Sequence, residues 1–306
     1  MPSKPWNEAR RSGQRAVALL GVLWVLVLLS LIALNISSTS RIELKLAANL
    51  LEAASVRQTT DAGINWALWS LLQPNTANWL ADGSQRSLEL DGVVVQVAIS
   101  DEQGKIDLNK ANPLLLEGLF LAAGVSQDEA LALADAVQDW RDTDELRRLQ
   151  GAEREEYLAA GLSGPANRPF ERLDELLEVL GMTAQLYAQV KPALTLYSGR
   201  AAVNPLVAPR QVLLALPGVA ESSVDQYIED RRSSYEQGLS PPPFTGIDPQ
   251  LLASNVPGIS YSIDTVVTKA NSVVSRQRMV IRRRGGIGSR YQILSITSLQ
   301  GAPDEL

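Results

Sequence analysis

The chain has 306 residues, 45% of them apolar and 20% charged, with a net charge of −6. That length suffices for an anchor plus one large domain or two small ones with buried cores. Cysteine and histidine are both absent, which excludes disulfides, thiolate metal sites, cysteine nucleophiles, imidazole bases and a Ser-His-Asp hydrolase. The acidic balance argues against non-specific nucleic-acid binding, and any metal site must be built from oxygen, which points to calcium, magnesium or manganese.

Residues 16–40 carry no charge. The run AVALLGVLWVLVLLSLIALNI is about twenty residues long, enough as a helix to cross about 30 Å of hydrocarbon. Lys4, Arg10, Arg11 and Arg15 precede it against Glu8 alone, so the N-terminus is expected on the cytoplasmic side and the bulk of the chain outside. A cleaved secretory signal is the rival reading; the run is long for one, and no A-x-A site follows. Instead the helix continues in amphipathic form. Ile42, Leu46 and Leu50 lie four apart, then Ile64, Leu68 and Leu71 resume one face, and Pro74-Asn75 stops it. A helix that starts in lipid and ends as a domain helix is the plan of a type IV pilin.

In SLELDGVVVQVAISDEQGKIDLN, Leu88 and Leu90, then Val93, Val95 and Val97, alternate about the turn signal Asp91-Gly92. This predicts a β-hairpin. Asp101 to Gly104 forms a second turn, and Asn109 is placed to cap the next helix. From residue 110 to about 235 the pattern is helix–turn–helix, with weak internal repeats. Asn109 and Asn204 open two units that turn at Gly124-Val125 and Gly218-Val219; a looser copy turns at Gly181-Met182. These units look like helix-hairpin-helix modules. DNA-binding versions usually offer two glycines in the turn and nearby cations; here Asp and Glu crowd the turns, which favours a structural or protein-binding use.

Between two of these units sits DWRDTDELRRLQGAEREEY, where Asp139, Asp142, Asp144 and Glu153 converge if the loop folds back. The spacing is not that of an EF-hand, and chemistry alone leaves a solvated charged loop as the stronger reading. Beyond the proline-rich SPPPFTGIDPQ, three strands are expected. Val266 and Thr268 mark the first, Val273, Arg278, Val280 and Ile281 the second, and Tyr291, Ile293 and Leu294 the third, with a turn at Gly285-Gly286. Arg282 to Arg284 read as a solvated hairpin end that blunts edge aggregation, and the tail GAPDEL as frayed.

The fold class this predicts is α+β. A long N-terminal helix lies on an antiparallel sheet in a type IV pilin-like fold, and a large all-α domain with helix-hairpin-helix-like (SAM-like) repeats is inserted into that sheet. The expected divisions are a leader at 1–16, a transmembrane helix at 17–36, the first part of the pilin-like domain at 37–107, the insertion at 108–260, the closing strands at 261–300 and a tail at 301–306.

From end to end this arrangement resembles the pseudopilin K family of type II secretion (the general secretion pathway protein K family). The most specific matches are the leader junction QRAVALLGVLWVLVLLSLIAL, then DEQGKIDLN, DWRDTD…GAE and NPLVAPRQVLLALPG. The resemblance implies cleavage by the prepilin peptidase between Ala16 and Val17, with Ala16 where the family usually has glycine. Ordinary pilins carry a glutamate at the fifth position after the cut; this chain has Gly21, and its absence is a habit of the family. The family pattern DWxDxD…GAExxY implies a structural calcium site on Asp142, Asp144 and Glu153, with Tyr157 and Asn167 in line and Asp139 completing the candidate set. The implied role is a minor pseudopilin at the pseudopilus tip, anchored by one span in the inner membrane with its bulk in the periplasm, and making or breaking no bond. Its implied partners are minor pseudopilins I and J, the major pseudopilin, the prepilin peptidase and the inner-membrane assembly platform; no nucleic acid is expected. The alternative is a membrane-anchored helix-hairpin-helix DNA receptor.

Overall fold

The computed structural model describes residues 6–72, 79–90, 92–253, 258–270, 272–284 and 290–298, and in the first helix the side chains of 19–32, 34 and 43–72. Two compact units are found, Met1–Gln58 and Thr59–Leu306. Helix α1 (Trp6–Leu72) has residues in both. Among the described residues no helix is long and apolar enough to cross a membrane; of the uncharged run, the described side chains are those of residues 19–32 and 34. Leu44, Leu46, Leu50 and Leu51 are exposed in the first unit. The amphipathic face expected along the whole domain half of the helix is therefore buried only in its later part. Ile64, Ala67, Leu68 and Leu71 are buried there.

What they cover is a five-stranded antiparallel sheet, ordered β1-β2-β5-β6-β7. The first hairpin joins β1 (Asp82–Leu90) to β2 (Val93–Asp101), with Leu90 opposite Val93. Gly92 sits at φ 76°, as a two-residue hairpin turn requires. The polar DGSQRS stretch extends β1 upstream of the alternating leucines; an edge strand needs no second buried face. In β2, Val93, Val95, Val97 and Ile99 point to the helix, joined by Ile263 and Val267 of β5 (Ser260–Lys269) and by Met279 and Ile281 of β6 (Ser272–Arg283). Gly63 lets the helix settle on this surface, because a Cβ there would stand 2.8 Å from Val95 Cγ1. Strand β7 (Tyr291–Ser298) closes the far edge against β6. The predicted Gly285-Gly286 turn and the tail lie outside the described residues.

Strands β2 and β5 are partners in register, Asp101 opposite Tyr261, so the chain leaves the sheet after Asp101 and returns beside the point of departure. In between lies a second, separate core. Its elements are α2 (Pro113–Ala122), α3 (Gln127–Arg141), α4 (Arg154–Ala159), α5 (Ala184–Val190), α6 (Arg210–Leu214) and α7 (Glu221–Glu236). A short parallel pair, β3 (Ile106–Asp107) with β4 (Leu194–Thr195), ties the start of this region to its middle. The three glycine turns take positive φ, 89° at Gly124, 88° at Gly181 and 77° at Gly218, where a Cβ would be strained. Leu115, Leu116, Leu119 and Phe120 of α2 and Leu133, Val137 and Trp140 of α3 fill the centre.

The expected cap is corrected. Asn112, not Asn109, opens α2: its side chain accepts from Leu114 N at 3.0 Å, and Pro113 supplies the first helical residue. Asn109 instead pins the backbone of Phe170, accepting from its N–H at 2.7 Å and donating to its carbonyl at 2.9 Å.

A buried polar clasp joins the two cores. Glu102 receives Lys105 Nζ at 2.8 Å, and Lys105 also donates to Ser262 of β5 at 3.1 Å. Thr195 of β4 donates to the other Glu102 oxygen. Desolvation pushes the Glu102 carboxyl up, but Lys105, Thr195 and Ser262 outweigh it and hold the group below its ordinary value.

Candidate functional site

The acidic segment is shaped by where α3 ends. Asp139 lies on its last turn and Asp142 is its C-terminal cap; the chain then loops back so that Glu153 opens α4. Asp139 is 0% exposed. Its two oxygens accept from the backbone N–H of Arg148 at 3.2 Å and from Arg148 Nη1 at 3.0 Å. The same Nη1 reaches Asp142 Oδ2 at 2.9 Å. Arg148, which sequence reasoning passed over, is thus an internal counter-ion for two of the four candidate carboxylates. Burial still pushes the Asp139 carboxyl up, with Arg148 opposing.

The other two candidates differ sharply. Asp144 is exposed and spends one oxygen on Leu146 N at 2.9 Å, closing the local turn. Glu153 is 5% exposed, and neither carboxylate oxygen has a hydrogen-bond partner. Burial, reinforced by Asp139, Asp142, Glu145 and Asp144, pushes its pKa up to about 7. Its backbone N–H donates to Glu156 Oε2 at 3.0 Å, one arm of the capping box that opens α4. Asp142 Oδ1 and Asn167 Oδ1 are also buried without partners, and Asn167 holds a φ of 49°. Tyr157 donates nothing to the cluster; its hydroxyl accepts from Leu180 N at 3.0 Å. Its ring lies 6.1 Å from that of Trp140, which stacks on Phe170 at 5.8 Å, forming a rigid apolar floor.

Among the described residues no three carboxylates are gathered as a metal shell. The unpartnered buried atoms of this segment nonetheless include four acceptors, two oxygens of Glu153 and one each of Asp142 and Asn167, beside two donors, Gln138 Nε2 and Trp140 Nε1. Buried oxygens without donors are costly, and a hard divalent cation is the partner their chemistry suits. The residues present therefore fit an oxygen-ligated ion.

The glycine turns carry no comparable site. Arg210, beside the Gly218 turn, is held by Asp225 at 2.6 Å and by Glu221, so its guanidinium is engaged by carboxylates rather than offered to phosphate.

Comparison with known proteins sets these features in context. The sequence profile for "Type II secretion system (T2SS), protein K" matches residues 88–199, which run from the first hairpin through the acidic cluster. Over 235 residues the chain is 30% identical to the type II secretion system protein K of Klebsiella pneumoniae, covering 66% of this chain and 69% of that protein. Over 214 residues it is 29% identical to the Aeromonas hydrophila protein of the same name, covering 60% and 63%. A solved structure titled as the GspK-GspI-GspJ complex of the enterotoxigenic Escherichia coli type 2 secretion system aligns with a TM-score of 0.55 and 19% identity, covering 81% of this chain and 99% of that chain. At that identity the likeness speaks for the fold. These matches define the class as a component of type II secretion with a mixed helix and antiparallel-sheet fold. The chain belongs to the type II secretion system protein K family, the minor pseudopilins of that system.

Proposed function

We propose that the protein caps the pseudopilus, in complex with minor pseudopilins I and J, and starts the assembly that exports folded proteins. On this reading the sheet and α1 form a pilin-like module, and the glycine-turn helices form structural helix-hairpin-helix units. The observation that carries the reading is the 30% identity to the Klebsiella protein K across 235 residues, supported by the fold it shares with a structure titled as a K–I–J complex. The uncharged run would anchor the chain in the inner membrane after cleavage between Ala16 and Val17, whose side chains lie outside the described set. The major pseudopilin and the assembly platform would meet the same helix. Its role is assembly, with no bond made or broken. Co-expression of the full chain with proteins I and J tests this. A ternary complex that survives size-exclusion chromatography is expected. Recovery of the chain alone, together with a gel shift of duplex DNA at low salt, would instead establish the DNA-receptor alternative.

The same reading includes a structural calcium ion at the acidic cluster. Asp142 and Glu153 would supply the oxygens now without donors, with Asp139 and Asp144 adjacent. An ion there would neutralise the mutual repulsion of these carboxylates and lock the loop from Asp142 to Glu153. The orphaned oxygens support this assignment.

A further inference from the structure

The two edges of the five-stranded sheet are finished differently. Strand β1 carries Asp82, Arg86 and Glu89 along its length, and its leucines, Leu88 and Leu90, are half-buried. Charge on an edge strand is one way a sheet avoids adding another strand. Strand β7 has no such guard. Its sequence YQILSITS holds no charged residue, and among the described strands it is paired on one side only, by β6. The other side offers the N–H and C=O groups of alternate residues.

A bulge in β7 adds an apolar face to this edge. Ile293 lies opposite Ile281 but Ser295 opposite Val280, so Leu294 is an extra residue. In a regular strand Ile293 and Ile296, three positions apart, would point to opposite faces. The extra residue re-aims them. Ile293 lies opposite Ile281 and Ile296 opposite Met279, and both partners belong to the core under α1. Directly opposed residues share a face, so both isoleucines continue the α1-facing surface. They are nonetheless 46% and 53% exposed. The apolar face therefore runs beyond what α1 covers.

The start of β7 is strongly basic. Arg282, Arg284 and Arg290 are exposed there, with Arg284 N donating to the carbonyl of Arg290 at 2.9 Å. Their side chains meet neutral groups: Arg284 Nη2 donates to Gln292 Oε1 at 2.6 Å and Arg282 Nε to Ser260 Oγ at 3.4 Å. Among the described residues no carboxylate forms an ion pair with any of the three. We propose that β7 receives a strand from another protein, apolar on the α1-facing side and acidic at the end beside these arginines. The open ladder selects an extended backbone, and the arginines set its register. A second copy does not meet that description, since β7 has no carboxylate. Antiparallel self-pairing would leave both arginine clusters unneutralised, and parallel self-pairing would set them side by side.

The test uses the full chain in a non-ionic detergent at low ionic strength. The labelled peptides EEVTVTV and VTVTVEE present their acids to the arginines in parallel and antiparallel addition. KKVTVTV and VTVTVKK are the basic counterparts, and a form of each acidic peptide N-methylated at alternate residues cannot complete the ladder. Fluorescence anisotropy reads affinity, and hydrogen exchange reads which amides are covered. One acidic peptide is expected to bind and slow exchange in β7 but not in β1, with its basic counterpart about tenfold weaker. The N-methylated form should not bind. Ile293→Thr with Ile296→Thr should weaken binding about fivefold. Arg284→Glu with Arg290→Glu should reverse the preference, so that the basic peptide binds the better. Equal binding of acidic and basic peptides overturns the proposal, as does no binding by either acidic peptide. Undiminished binding of the N-methylated form would reduce the site to a patch of charge. A dimer in sedimentation velocity that the isoleucine variant abolishes would assign the edge to a second copy instead.

Discussion

The sheet region and the helical region each have their own core, built from different materials. The sheet core is largely aliphatic, with Val95, Val97 and Ile99 of β2 and Ile263 and Val267 of β5 buried against α1. Strand pairing satisfies its backbone. The helical core is fuller but is stitched by loops, and those loops depend on buried charge: Asp107, Asp139, Glu153 and Glu175 are all buried there. Asp107, for example, gathers the backbone N–H groups of Asn109 at 2.9 Å and Gly199 at 2.7 Å. A region that covers its apolar surface with regular strands can be insensitive to its ionic surroundings. One that fixes irregular chain with carboxylates cannot.

The largest effect should come from breaking the clasp between the two. Lys105→Met leaves Glu102 buried without its cation, and removing one partner of a buried pair typically costs about 3–5 kcal/mol. Adding Glu102→Gln to that variant should recover most of the loss, because the uncompensated charge is then gone. Chemical unfolding of the two variants measures the difference, and no recovery would mean that packing, not charge, sets the effect. Next, Leu119→Ala should cost about 2–5 kcal/mol by opening a cavity in the helical core. Since the cores are separate clusters, hydrogen exchange should lose protection in α2, α3 and α6 and keep it in β2 and β5. Equal loss in both would erase the distinction between the regions.

Calcium sharpens the same contrast at smaller scale. At a hundredfold excess over its dissociation constant it should stabilise the helical region by about 2.7 kcal/mol, and chelation should remove that gain while strand protection is untouched. Magnesium should substitute poorly, since it demands tighter octahedral geometry. The pair Asp142→Asn and Glu153→Gln should abolish the calcium response. A full response in that variant would place the ion elsewhere.

The smallest effect is a pH trend at the seam. Burial pushes Asp101 up to about 6 from 3.8, opposed by the N–H groups of Gln103 and Gly258. The unfolded chain therefore loses this proton first, and the folded state binds the excess. Stability should fall by about 1.5 kcal/mol as pH rises from 4.5 to 6, and Asp101→Asn should flatten that slope. Glu102, held below its ordinary 4.5, acts in the opposite sense and only below that pH.

Much of the sheet was legible because its signals are local. Asp91-Gly92 between alternating aliphatics fixes both the turn and the inward face. Strand β1 was seen only in its second half, since Asp82 to Ser87 carry no apolar alternation and are held as an edge by β2. The glycine turns were readable for the same local reason as the hairpin. What escaped notice was tertiary. Arg148 lies nine residues from Asp139 in sequence, and only the fold-back of the loop brings its guanidinium within 3.0 Å. Nor does the helical pattern of Leu46 and Leu50, both exposed, tell them from Leu68 and Leu71, which meet a sheet. Asn109 and Asn112 are chemically equal candidates for a cap, and Pro113 was the overlooked discriminator.

The place where the helical region joins the sheet has a mechanical corollary. Its two tethers emerge from the same end of neighbouring central strands, Asp101 of β2 opposite Tyr261 of β5. A pull on the helical region along the strand axis drags β2 and β5 the same way, so the ladder between them carries little load. Tension passes outward to the β1–β2 and β5–β6 ladders, where the hydrogen bonds lie across the direction of pull and must yield together in shear rather than open one at a time.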